Sequence, residues 1–220
     1  IAIGGYINWF MGLMVMGIGA GGAALIARAV GGGHKRLAHA GLGQTLVMGV
    51  SVGVLTGLLI IALADAGVAV AGWLYDPIKD RLCHARKGEG AFINGERVRA
   101  KTTGQTPPVA GISTLFLDAE ERAEMDERIA PHYSLVDIPR CAAEQYPRLA
   151  LGENDISVFK RTLAWDHAAG VLWLNEAGGK AARYDGSEYR VDEHERAGMI
   201  GAASPDLWEA FAARVQGKLG

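Results

Sequence analysis

Residues 1–64 contain only three charged side chains, Arg28, Lys35 and Arg36, and that scarcity constrains the fold more than any other feature of the sequence. Residues 1–27 carry no charge at all and exceed the ~20 apolar residues that cross a hydrocarbon core as a helix. Residues 42–64 repeat the pattern. Two transmembrane helices are therefore predicted, joined by the loop 28–41 that holds every positive charge of the segment. Gly17, Gly21 and Gly22, with Ala20 and Ala24, offer small faces on which two helices pack closely. Basic loops stay on the cytoplasmic side, which places 28–41 there and both outer ends across the bilayer. A secretory signal would be shorter and start with basic residues. The alternative is a helical hairpin buried inside a large soluble protein.

The rest of the chain has a different chemistry. Of the 22 basic and 24 acidic side chains, 19 (22 less the three above) and all 24 fall in residues 65–220. No stretch is basic enough to neutralise a run of phosphates, so nucleic-acid binding is excluded. Cys83 and Cys141 stand far apart, with neither a disulfide framework nor a CxxC pair, as in a reducing compartment.

GLMVMGIGAGGAALIARAVGGGHKRLAHAGLGQTLVMG resembles the multidrug and toxic compound extrusion (MATE) transporters, with Ala27, Arg28, Gly31, Gly33 and Gln44 matching that family's pattern. The resemblance spans about two of the family's helices. It implies a transporter fragment anchored in the membrane through residues 1–64.

From Val68 onward, short β-rich runs alternate with helical patterns, as in a layered α/β domain. VAVAGWLYDP reads as a strand. RLCHARKGEGAFINGERVRA reads as a strand, a Gly-x-Gly turn and a hairpin with Asn94-Gly95 at its tip. Asp118 is placed as the cap of an acidic helix over 119–129. Further strands are predicted at GISTLFL, SLVDIP, ISVFKR, KAARYDG, around Tyr189 and at GMIGAAS. Helices are predicted over 142–151, over 166–177 with Gly178-Gly179 as its C-terminal cap, and over 205–216 opened by Pro205.

Chemistry concentrates in AWDHAAGVLWLNEAGG, residues 164–179. Asp166 opens a helix that is apolar nearly all round, so its carboxylate meets the positive end of a buried helix. An N-cap and a metal-ligating carboxylate are both consistent with that position. His167 is expected to face elsewhere on the helix, and the remaining histidines lack ligand spacing.

WDHAAG and EAGG, together with YDP at 75–77, GEGAFING at 88–95 and Asp185-Gly186, resemble the inositol monophosphatase family over residues 62–220. The resemblance implies a layered αβαβα sandwich and a Mg²⁺-dependent phosphatase of small phosphorylated metabolites. It makes Asp166 a magnesium ligand, and Trp165, Ala169, Gly170, Glu176, Gly178 and Gly179 the structural part of the motif. Phe159 and Lys160 fall where the family has an acidic substrate contact, which argues against inositol phosphate itself. The family's other metal ligands belong before the strand at 68–75, where this sequence is apolar. Residues 65–220 thus read as a domain lacking its metal-binding N-terminal half, inactive as it stands and inclined to form a homodimer. The alternative is a fragment of an antiporter, the whole being a chimera. Its resemblances pull in two directions, toward a membrane-bound N-terminal segment and a cytoplasmic phosphatase.

Overall fold

The computed structural model describes residues 59–139 and 141–215, together with Gly32. The MATE-like motif and the predicted transmembrane helices fall outside the described residues, apart from Gly32 and residues 59–64. Among the described residues no helix is long and apolar enough to cross a membrane. The described residues from Leu59 onward belong to one compact unit.

Residues 59–64, expected at the end of the second membrane helix, are instead strand β1 (Leu59–Asp65). A short aliphatic run suits a strand as well as a helix. Here a turn decides, since Ala66 and Gly67 both take positive φ (47° and 80°), the type I′ geometry that folds β1 back on β2 (Val68–Asp76). β3 (Arg81–Arg86), β4 (Gly90–Ile93) and β5 (Glu96–Val98) complete an antiparallel sheet in the order β1-β2-β3-β4-β5. Asn94 and Gly95, with φ of 51° and 86°, make the predicted tight turn between β4 and β5. Strand alternation sends Gly72, Leu74 and Asp76 of β2, and Arg81, Cys83 and Ala85 of β3, to the buried face.

The second sheet comprises β6 (Val109–Ile112), β7 (Ser134–Leu135), β8 (Ile156–Phe159), β9 (Lys180–Arg183) and β10 (Met199–Ala202), ordered β7-β6-β8-β10-β9. β6 runs parallel to β7 and β8, while β10 is antiparallel to β8 and β9. The segment around Tyr189 forms no strand. Its ring lies under the Arg183 guanidinium at 4.8 Å and its hydroxyl donates to the Thr162 carbonyl at 3.0 Å, so side-chain contacts replace a ladder there.

Helix α1 (Ala119–Glu124) begins with the predicted cap: Glu121 N donates to Asp118 Oδ1 at 2.9 Å, and Asp118 N donates to Glu121 Oε2 at 3.1 Å. The helix expected to continue to 129 widens into a π turn at Met125–Ile129, and a 3₁₀ turn containing Pro131 follows. Helices α2 (Ala142–Ala150), α3 (Ala164–Glu176) and α4 (Pro205–Val215) follow the sequence pattern closely. Trp208, Phe211 and Val215 of α4 join Ile156, Val158 and Ile200 in the core beside the second sheet.

Helix α3 is buried without a break from His167 to Leu174 and packs against β1–β4, α2 and β9. Small residues make that fit. A Cβ on Gly72 would stand 2.8 Å from Ala169 Cα, and one on Gly170 would stand 2.0 Å from Tyr146 Cδ2. Tyr146 is fully buried and has no room to retreat. Gly170→Ala is therefore expected to destabilise the domain by about 1–3 kcal/mol, the usual cost of overpacking a core. A urea midpoint unchanged from that of the parent chain would refute the tight α2–α3 contact.

Candidate active site

The N-terminus of α3 opens onto a cleft of about 520 Å³ whose border includes Phe116, Phe159, Lys160, Arg161, Asp166 and His167. Leu163, in extended conformation, is the N-cap, so the helix starts two residues earlier than the motif suggested and Asp166 sits at its third position. The N-cap reading of Asp166 is corrected accordingly. Its half-buried carboxylate still lies within the first turn, where the unpaired amides favour negative charge. His167, expected to face away, borders the same cleft.

Phe159 ends β8 with 5% of its surface exposed, its ring 5.6 Å from that of Tyr146 and 4.8 Å from that of His167. His167 Nδ1 lies 2.8 Å from the Tyr146 hydroxyl, and the imidazole also hydrogen-bonds the Arg161 backbone. Burial holds the imidazole down to about 4, so the ring is neutral at ordinary pH. The floor of the cleft is thus an apolar, uncharged cluster.

The two adjacent cations differ. The Lys160 ammonium pairs with Glu121, the same carboxylate that closes the α1 capping box. The Arg161 guanidinium lies over the Phe116 ring at 4.4 Å, and among the described residues no carboxylate pairs with it. Sequence reasoning singled out Lys160 and passed over Arg161. The Phe116–Arg161 contact joins residues 45 positions apart, which no local pattern reveals.

The remaining motif residues lie away from the cleft or under it. Trp165 is 66% exposed at the second position of α3. Ala169 and Gly170 form the close contacts already described. Gly179 N donates to the Leu174 carbonyl and Gly178 N to that of Asn175, both at 3.0 Å, a Schellman cap with Gly178 at φ 92°. Glu176 does more than end the helix. Its carboxylate accepts from Gly88 N at 2.7 Å and Gly90 N at 2.8 Å, tying the Gly-x-Gly turn of the first sheet to α3.

Helix α2 brings Ala142 and Gln145 to the cleft. Between them, Glu144 is buried and anchors the helix to the first sheet through Lys79 at 2.6 Å and Arg81, and it also pairs with Arg148 one turn along the same helix at 3.3 Å. Burial alone would raise the Glu144 carboxyl, but the Lys79 hydrogen bond and the Arg81 charge outweigh it and hold it below its ordinary value.

A magnesium pair needs several oxygen ligands converging on it. Among the described residues, Asp166 is the one carboxylate on the cleft border, and no group of three or more His, Cys, Asp or Glu is placed to hold a metal. The residues present do not by themselves fit such a centre.

The model of the inositol monophosphatase family matches residues 59–218. The chain is 28% identical over 128 residues to a fructose-1,6-bisphosphatase/inositol-1-monophosphatase of Thermotoga maritima, covering 58% of this chain and 49% of that protein. It is 29% identical over 138 residues to an inositol-1-monophosphatase of Bacillus subtilis, covering 61% and 52%. The crystal structure of the extragenic suppressor protein suhB from Bartonella henselae superposes with a TM-score of 0.61 at 26% identity, over 73% of this chain and 62% of that one. An inositol monophosphatase from Zymomonas mobilis shares the fold at a TM-score of 0.62 and 21% identity, over 71% and 61%. The chain spans about half the length of these two curated relatives.

The Glu144 geometry carries a signed pH dependence. Its carboxyl is lowered by folding from an ordinary value of 4.5, so its stabilisation is complete above about 4.5 and is lost as pH falls through the lower folded value. Glu144→Gln should cost about 3 kcal/mol at pH 7, because it leaves Arg81 buried without its nearest partner. The variant should also lose less further stability than the parent below pH 4.5. Urea unfolding of both chains at pH 7, 5 and 3.5 measures the difference, and parallel curves would refute it.

Proposed function

The chain belongs to the inositol monophosphatase family, and from that premise we propose that residues 59–218 form the substrate-side part of a magnesium-dependent phosphomonoesterase site. The observation that carries this reading is Asp166, placed in the first turn of a helix buried from His167 to Leu174, at the mouth of a cleft with Lys160 and Arg161 on its border. A carboxylate there suits a hard cation that shares its remaining coordination with a substrate phosphate, the arrangement Mg²⁺ favours. Ala169, Gly170, Glu176, Gly178 and Gly179 hold the helix that presents it.

One carboxylate cannot hold two ions, and residues 1–64 contribute no Asp or Glu. On this reading the chain binds a phosphate ester together with magnesium but does not hydrolyse it unaided. Phe159 replaces an acidic contact with an apolar wall, which disfavours a polyol such as inositol as the alcohol part of the ester.

Two measurements on the full chain test the reading. Calorimetric titration with phenyl phosphate should give tighter binding when Mg²⁺ is present, and Asp166→Asn should abolish that dependence. Phosphate release should be absent in both chains. Release that disappears in Asp166→Asn would overturn the inactivity and keep the phosphatase assignment. Release that persists in Asp166→Asn, or binding indifferent to Mg²⁺ in the parent chain, would overturn the assignment of Asp166.

A further inference from the structure

We propose that Arg161, lying over Phe116 at the cleft, is the recognition element for a second oxyanion on the substrate. On this view the cleft takes phosphate esters whose alcohol part is flat, apolar and itself negatively charged. The inference rests on the phosphomonoesterase reading and specifies the substrate class of that same site.

The charge inventory of the cleft comes first. Among the described lining residues, Asp166 is the one acidic side chain, and Lys160 and Arg161 are the lysine and arginine cations. Lys160 already faces Glu121, which is itself held by the Asp118 capping box. Arg161 has only an aromatic face against it. Its guanidinium carbon is 4.4 Å from the Phe116 centroid, and among the described residues it takes part in no ion pair. A guanidinium over a ring has one face covered while its N–H donors radiate in its own plane, a fork that matches a carboxylate or phosphate in two parallel hydrogen bonds. An ammonium at the same place would offer a point charge with no such geometry.

The walls supply the second half of the argument. Ile112, Leu115, Phe116, Ile138 and Phe159 give the cleft an apolar wall, beside the uncharged polar Ser113, Thr114 and Gln145. Phe159 is fixed by its packing on Tyr146 and His167 and cannot turn aside to expose a polar group behind it. Such a lining accommodates a flat hydrophobic body and offers the vicinal hydroxyls of a polyol no second carboxylate to accept their protons. Apolar walls with Arg161, unpaired among the described residues, at the rim therefore select an acidic aryl-type ester over a sugar-type one.

The test is a binding comparison on the full chain, using glycerol 2-phosphate, phenyl phosphate, 4-carboxyphenyl phosphate and 1,4-phenylene bisphosphate as probes. Each is titrated by calorimetry with and without Mg²⁺. Charge-assisted hydrogen bonds lead us to expect the two doubly anionic aryl compounds to bind about tenfold more tightly than phenyl phosphate. Glycerol 2-phosphate should bind most weakly. The advantage should vanish in Arg161→Ala and survive only in part in Arg161→Lys, while thermal melts confirm that this exposed position leaves the fold intact. A preference for one doubly anionic probe over the other identifies the oxyanion as carboxylate or phosphate. Equal binding of phenyl phosphate and both doubly anionic probes, or an advantage that survives in Arg161→Ala, overturns the proposal. The Mg²⁺ arm separates the two readings. Loss of the anion advantage with Mg²⁺-dependent binding intact removes only the role of Arg161. An Arg161-dependent advantage without any Mg²⁺ dependence keeps the oxyanion contact and removes the magnesium site.

Discussion

A helix with no polar face has nowhere to go except between other elements, and α3 meets that condition by touching both sheets of the domain and the neighbouring helix. The order of the rest follows from it. Gly72 and Gly170 are small because the first sheet and Tyr146 must come within van der Waals reach of the α3 backbone. The Schellman cap at Gly178 and Gly179 turns the chain directly into β9, and Glu176 reaches sideways to hold the Gly-x-Gly turn of the first sheet. With its far end pinned in this way, the N-terminal end of α3 places Asp166 on the border of the cleft. The precision of the site derives from burial rather than from a dense network of polar contacts around Asp166 itself.

The polar contacts lie one layer further out. Glu144 fastens α2 to the turn and strand at Lys79 and Arg81. Asp155 accepts from Thr103 N and Val109 N, both at 2.8 Å, and so binds the linker before β6 to the residue before β8. Both carboxylates are buried and both join segments far apart in sequence. They are structural charges, and their positions leave the cleft itself poor in acid.

Much of this was legible in the sequence, and the failures have identifiable causes. Asn94-Gly95, Asp118 with Glu121, and Gly178-Gly179 are local signals whose meaning depends on a few neighbouring φ and ψ angles, and the structure contains the turn or cap each one specifies. The all-apolar composition of α3 likewise announced its burial. The error at residues 59–64 arose because a charge-free aliphatic run has no period to read. Its strand identity is settled by pairing with β2, a tertiary fact. Asp166 was mistaken for a cap candidate because helices without a capping side chain, such as one starting after Leu163, leave no mark in the sequence. Glu176 and Arg161 were undervalued for a related reason. Their partners, Gly88, Gly90 and Phe116, lie 88, 86 and 45 positions away.

The sharing of Glu121 between a helix cap and Lys160 makes two adjacent positions unequal before natural selection. A change at 160 disturbs a charge on which the start of α1 depends, so any new substrate contact there arrives together with a folding defect. A change at 161 removes a guanidinium that only leans on a ring at the surface. On the proposed role of Arg161, a single change at 161 alters a cleft contact without touching a helix cap, whereas one at 160 disturbs both. Adaptability and constraint sit side by side on one peptide bond.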